Sequence, residues 1–523
     1  MIIDFNTASV PAEIFGDICI IGAGAAGITA SLELSAFRSK VILLESGGLE
    51  YSDAAQNLYA GTITGDTTLD LDASRVRYLG GSTNHWAGHC RPLERVDFEK
   101  RSWIPDSGWP ISFDDVKPYY PIAHRYCQVG PFDYEPALCY GGVPTPSFVP
   151  ETDFVPKMIR YSPPTRFGET YREALAENDS ITCYLNANFT AWNTSENGAV
   201  LESVTVRSLD GASTTVRARY FILATGGIEN ARLLLQPAQG HPNGVGNQEG
   251  LVGRYYADHS FINNPARAII FRNDPAFAGF QRHVIDPSSN IDGHLFLSLS
   301  PELQEREALP QIGLRFTGTT MHHGSPGLAS ARFIKESMND FRWPRDLGYH
   351  LQQVVTHIDE VLPRLFGTFE RETSDRVTDF WCELPPNPES RVLLGDETDA
   401  LGLRRVNLRW LKPDVVKRAF FFAHETLGKA LGESGLGRLQ IVIDEEDMRV
   451  SDLGGNHHMG TTRMHEDPKR GVVNADCRVH GVDNLYVAGS SVFPTYGHIG
   501  PTLTLVALAA RMAEHLGTRM RSH

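Results

Sequence analysis

One stretch limits the fold more than any other: DICIIGAGAAGITASLEL at 17–34, a short apolar run, a glycine turn, then an alanine-rich segment. Gly22, Gly24 and Gly27 stand in G-x-G-x-x-G spacing. The first glycine permits a tight turn, the second lets backbone approach a pyrophosphate, and the third packs helix against strand. A helix N-terminus placed there attracts the anion. KVILLESGG at 40–48 reads as the next buried strand of a parallel β-α-β unit, because uninterrupted apolar runs suit strands covered on both faces. Glu45 ends that strand, where an acidic side chain bonds a ribose hydroxyl. The combination predicts dinucleotide binding; a glycine turn with only a structural role is the alternative.

At 523 residues the chain is too long for one core. The expected fold class is α/β (α+β overall): a Rossmann-like dinucleotide-binding domain with a parallel sheet, plus a second domain with an antiparallel sheet and helices. The first domain takes 1–110, 176–260 and 450–523, and the second takes 111–175 and 261–449. Strand-rich segments over 181–225, separated by NG and DG turns, predict an antiparallel meander that returns to the parallel sheet. LGYHLQQVVTHIDEVLPRLF predicts an amphipathic helix, and PTLTLVALAARMAEHL at 501–516 a closing helix with Pro501 first.

A net charge of -15 gives no basic footprint for nucleic acid. The seven cysteines are scattered, with no C-x-x-C pair, which fits a reducing compartment without a disulfide framework or zinc site. No secretory signal is visible and no apolar run is long enough to span a bilayer. The expectation is a cytoplasmic protein without a membrane partner.

YFILATGGIENARLLL at 220–235 and NLYVAGSSVFPT at 484–495 both place small residues at buried strand ends. Thr225, Gly226, Gly489 and Ser490 would let the main chain approach a large ring system closely, which favours a flavin over a nicotinamide. A plain strand-to-helix turn is the alternative.

With RYLGGSTNHWAGHCRPL at 77–93, VGRYYADH at 252–259 and HHMGTTRM through GSSVFPTYGHIGPTLTLVALA, the sequence resembles the glucose-methanol-choline (GMC) oxidoreductase family. The resemblance is greatest to bacterial members that oxidise sugars and glycosides, and to pyranose oxidases. It implies FAD, a substrate domain roofing the flavin, and hydride transfer from a carbinol carbon to flavin N5. Gly80, Gly81, Ser82 and Asn84 would line the flavin edge. His85 falls where pyranose oxidases attach FAD covalently; packing against the ring is the other reading. His457 takes the position of the catalytic base, and His458 that of a substrate contact. Adjacent histidines alone give no metal signature.

The family's second polar side chain, Asn or His, is replaced here by Gly500. Gly500, as N-cap, and Thr502 would face the cofactor from the start of the closing helix. His498 lies two residues earlier, on the same face if the chain is extended, and could reach into the pocket instead. The expected partners are a small-molecule substrate and an electron acceptor, either oxygen or a diffusible compound. A lyase reaction in which the flavin is not reduced is the alternative function, motivated by Gly500.

Overall fold

The computed structural model describes residues 1–66, 70–135, 148–271, 275–280, 284–286, 289–319, 346–358, 374–444 and 454–522, with Asp452 and single residues between 327 and 361. Cys139 and Trp343, and most of the expected helix beyond 358, lie outside them. The helix that is described there runs Leu347–Thr356.

Four strands are buried along their whole length: Ile18–Ile21, Val41–Leu44, Tyr220–Leu223 and Leu485–Val487. Strands apolar on both faces need cover on both sides, the condition of a parallel sheet. They form the centre and one edge of a six-stranded sheet, in the order Ile2–Asp4, Ile181–Leu185, Val41–Leu44, Ile18–Ile21, Tyr220–Leu223, Leu485–Val487. Every pairing in it is parallel. The glycine-started helix Ala25–Ser35 and the closing helix Thr502–Arg521 pack together over it.

The expected meander is narrower than 181–225. Asn188–Thr194, Leu201–Arg207 and Ser213–Arg217 are antiparallel to one another. Ile181–Leu185 and Tyr220–Leu223, more apolar than an exposed hairpin tolerates, belong to the parallel sheet.

The second large sheet has eight strands, with the path Gly437–Ile441, His259–Ile270, Ser374–Glu383, Ile312–Thr319, Ile291–Leu299, Phe154–Tyr161, His89–Cys90, and Val284–Asp286 pairing beside Ile291–Leu299. All its pairings are antiparallel. Helix Val415–Glu433 packs against it.

The division of the chain drawn from sequence is crossed at 391–410. Hairpin strands Arg391–Thr398 and Arg404–Trp410 join Gly61–Gly65, with Val406 opposite Gly61 in parallel register. Only glycine allows this approach: a Cβ on Gly61 would lie 2.4 Å from the Val406 carbonyl oxygen, and one on Gly65 2.0 Å from that of Trp410. The closing helix also starts later than expected, with Pro501 as its N-cap; Gly500 is outside the helix and caps nothing.

Candidate active site

The site lies between the carboxyl ends of the parallel strands and the face of the antiparallel sheet. Its first half is a glycine-lined crevice. Gly22 takes φ +104°, and a Cβ on Gly27 would meet the Gly22 carbonyl oxygen at 1.9 Å. These two glycines serve the protein's own packing. Gly24 differs: a Cβ there would meet nothing within 4 Å. The same is true of Gly226 and Gly489, which follow the two neighbouring strands at φ +88° and +119°. Three adjacent strands of one parallel sheet therefore end on glycines facing open space, where such sheets bind dinucleotides.

GGSTNHW folds onto this crevice. The Gly80 amide donates to the Ala23 carbonyl at 2.9 Å, and a Cβ on Gly81 would sit 3.2 Å from the Gly24 Cα. Thr83 Oγ donates to the Gly80 carbonyl, and Asn84 Nδ2 to that of Leu79, so Asn84 closes its own turn. Ser82 and His85 are exposed; the His85 ring meets the Tyr78 ring edge-on at 6.4 Å. Glu45 accepts from the backbone N–H of Ala23 at 3.0 Å and of Gly47 at 2.8 Å. Burial pushes its carboxyl above the usual range, opposed by those two amides and by the charge of Arg77. Thr225 Oγ donates to Asn230 Oδ1, and Asn230 Nδ2 donates to the Ala488 carbonyl and to Ser491 Oγ. Asn230 thus binds two strand ends together, a role that no motif in the sequence signals. Ser490 Oγ is spent on the His458 carbonyl at 2.7 Å. Thr502 begins the closing helix, partly buried.

The crevice fits a dinucleotide such as FAD: a pyrophosphate needs a side-chain-free approach to a helix N-terminus, and Gly24 is the N-cap of Ala25–Ser35. Gly24→Ala is expected to melt at the wild-type temperature without cofactor, yet to bind FAD about tenfold or more weakly, ~1.4 kcal/mol or more. Gly27→Ala is expected to lose both stability and flavin. Fluorescence titration of apoprotein and thermal melts separate the two.

The second half centres on His457. Its Nδ1 is 2.8 Å from Nδ1 of His259, and its backbone N–H donates to Asp258 Oδ1 at 2.8 Å. Its ring lies against Trp381, centroids 5.9 Å apart and 23° from parallel, and Trp381 stacks on Phe261 at 4.0 Å. Ile159, Phe296, Trp381 and Ile499, with Phe261 against them, form an apolar cluster separate from the main core. Burial holds the His457 imidazole well below its ordinary pKa, and the neighbouring His259 adds to this. It is therefore neutral, the form that can take a proton.

The chain over 494–500 is a turn rather than a strand. Glu383 Oε1 accepts from the backbone N–H of Tyr496 and Gly497, both at 3.3 Å, and Gly497 takes φ +60°. The same-face rule for residues two apart fails across that bend, so His498 and Gly500 diverge. His498 is buried, its Nε2 3.1 Å from Ser298 Oγ and its ring so close to Gly313 that a Cβ there would meet Cδ2 at 2.4 Å. It packs under the antiparallel sheet, and the structure does not bring it to the His457 ring. Gly500 does lie there: a Cβ on it would sit 3.6 Å from both Nε2 and Cε1 of His457.

His458 also departs from the expected substrate contact. Its Nδ1 is 2.9 Å from Tyr256 Oη and its Nε2 3.1 Å from Ser74 Oγ. Both ring nitrogens are thus engaged by the protein, and burial lowers the pKa to about 3. Asp258 and His259 end the segment VGRYYADH, but no motif there marks either residue, and none marks Trp381.

Comparison with known proteins bears on the fold and the family. Residues 386–509 match the family profile described as GMC oxidoreductase. The chain is 24% identical to the 2-methyl-1,2-propanediol dehydrogenase of Mycolicibacterium austroafricanum, over 96% of this chain and 95% of that one. It is 25% identical to the 6'''-hydroxyparomomycin C oxidase of Streptomyces lividus, over 97% and 93%. Among solved structures, formate oxidase of Aspergillus oryzae RIB40 shares the fold with a TM-score of 0.56 at 16% identity, over 98% of this chain and all of that one. A dinucleotide crevice on a parallel sheet, faced by an antiparallel sheet, thus fits the FAD of a GMC-type oxidoreductase, and residues 386–509 are a GMC oxidoreductase C-terminal domain.

Proposed function

We propose that the protein oxidises a CH–OH group of a sugar, glycoside or sugar-like natural product to a carbonyl, with His457 as the base. The observation that carries this reading is the Nε2 edge of a neutral His457 beside the side-chain-free Gly500. An alcohol gives up hydride readily only as its hydroxyl proton leaves, so a base must lie within hydrogen-bond reach of that oxygen. His457 Nε2 takes the proton. FAD, when bound, supplies the hydride acceptor. Gly24, Gly226, Gly489 and the Gly80–Gly81 turn would hold it, and Trp381, backed by Phe261, covers one face of the base. The similarity to a diol dehydrogenase and an aminoglycoside oxidase supports a polyhydroxylated substrate. The electron acceptor is oxygen or a diffusible compound.

The test is anaerobic mixing of the purified yellow protein with sugars, glycosides, aminoglycosides and diols. Bleaching by one of them is the expected result. A compound turned over with no bleaching at any stage would sink the proposal in favour of a lyase. The same preparation decides the His85 linkage, since colour released by acid precipitation would rule it out.

Gly500 should set the size of what fits. Its backbone is outside the left-handed region, and a methyl 3.6 Å from His457 is in ordinary contact. Gly500→Ala is therefore expected to fold and bind flavin normally, while kcat/KM falls about tenfold to a hundredfold, the scale of one misplaced methyl in a pocket. Steady-state kinetics on the bleaching substrate check it.

A further inference from the structure

Sequence and family resemblance leave His259 without a role, and the hydrogen-bond pattern around it is unusually restrictive. His259 is buried and each of its ring nitrogens has one polar partner: Nε2 lies 2.8 Å from the Gly497 carbonyl oxygen, and Nδ1 lies 2.8 Å from His457 Nδ1. A carbonyl oxygen only accepts, so His259 Nε2 carries a hydrogen. A neutral imidazole carries one, which leaves a lone pair on His259 Nδ1. The proton shared between the two Nδ1 atoms then belongs to His457, and its Nε2 is left as the bare lone pair facing the space at Gly500.

We propose that His259 is a positioning residue that fixes the tautomer of His457, so that Nε2 and not Nδ1 is the basic atom. This rests on the assignment of His457 as base. When Nε2 takes a proton, the Nδ1–H bond to His259 becomes charge-assisted and stronger, so the same contact stabilises the imidazolium as it forms. The remaining groups agree. Burial lowers the His259 pKa to about 3, so the ring is neutral as the pattern requires. The carboxylate beside it is committed elsewhere: Asp258 Oδ1 accepts from the backbone N–H of His259, Gly455 and His457.

Asp258, His259 and His457 also bring three ligand-type atoms within 4.8 Å of one another. A metal reading fits them poorly. Two imidazole nitrogens on a tetrahedral ion at about 2.0–2.1 Å stand roughly 3.3 Å apart, whereas these are separated by 2.8 Å, a hydrogen-bond length.

The test uses the holoenzyme with 15N-labelled histidine rings. Long-range proton–nitrogen spectra should show His457, assigned by the signal lost in His457→Gln, with a protonated Nδ1 and a bare Nε2. His259→Phe removes the acceptor and should slow flavin reduction about tenfold or more while flavin content holds. His259→Asn, whose Oδ1 can stand where Nδ1 stood, should recover most of that loss. A proton on Nε2 of His457 in the wild type, or unchanged rate and spectrum in His259→Phe, would overturn the proposal. The spectrum needs no substrate, so it reads the tautomer even if no alcohol reduces the flavin.

Discussion

His457→Ala should remain folded and yellow, and its flavin should be reduced by the alcohol substrate about 10²–10⁴-fold more slowly than in wild type. The size of the effect follows from what is removed. His457 Nε2 is, with Cε1 of the same ring, the atom nearest to where a Cβ on Gly500 would stand. His458 has both nitrogens engaged, and His498 lies under the antiparallel sheet. Neither of these two histidines can therefore take over as base. Folding should survive, because His457 is partly exposed and its backbone bond to Asp258 stays. Truncation leaves the lone pair of His259 Nδ1 unmatched, which costs about 1–3 kcal/mol, tolerable within a large domain. Anaerobic stopped-flow reduction measures the rate, and added imidazole should restore part of it. Reduction at the wild-type rate would remove His457 from the chemistry.

The nucleotide half of this site is legible in the sequence because its physics is local. Gly22, Gly24 and Gly27 act within one strand–turn–helix unit, so their spacing carries the geometry. The catalytic half depends on where the chain bends and on what arrives from far away. PTYGHIG looks extended, and the turn at Gly497 comes from Glu383, more than a hundred residues distant, capturing two successive amides. That bend sends His498 into the sheet and leaves Gly500 at the base. Likewise His259 and Trp381 reach His457 only because Ser374–Glu383 pairs with His259–Ile270, placing Trp381 across from Phe261. Long-range strand pairing has no short motif, so a histidine in VGRYYADH and a tryptophan in DFWCE carry no mark of their meeting.

Glu383→Gln tests that long-range support and should be strongly damaging. Arg101 and Glu383 form a bidentate pair, both contacts at 2.7 Å, with side chains 1% and 0% exposed. Removing one charge strands the other in the interior, a loss of about 3–5 kcal/mol. Burial alone would raise the Glu383 pKa, but the charge and hydrogen bonds of Arg101 outweigh it and hold the carboxyl below its ordinary 4.5. A carboxyl depressed on folding stabilises the protein above its unfolded pKa and loses that contribution as pH falls through the folded value. Wild type should therefore lose this support in acid below about pH 4.5, and the variant, already without the charge, should show a shallower fall there. The damage also reaches catalysis. Glu383 Oε1 holds the Tyr496 and Gly497 amides, and the Gly497 carbonyl accepts from His259 Nε2. Loosening that peptide frees the ring against which His457 is set. The expected variant melts several degrees lower and reduces its flavin more slowly at temperatures where it is still folded. An unchanged melting curve would mean that the buried pair is dispensable and that something else shapes the turn at Gly497.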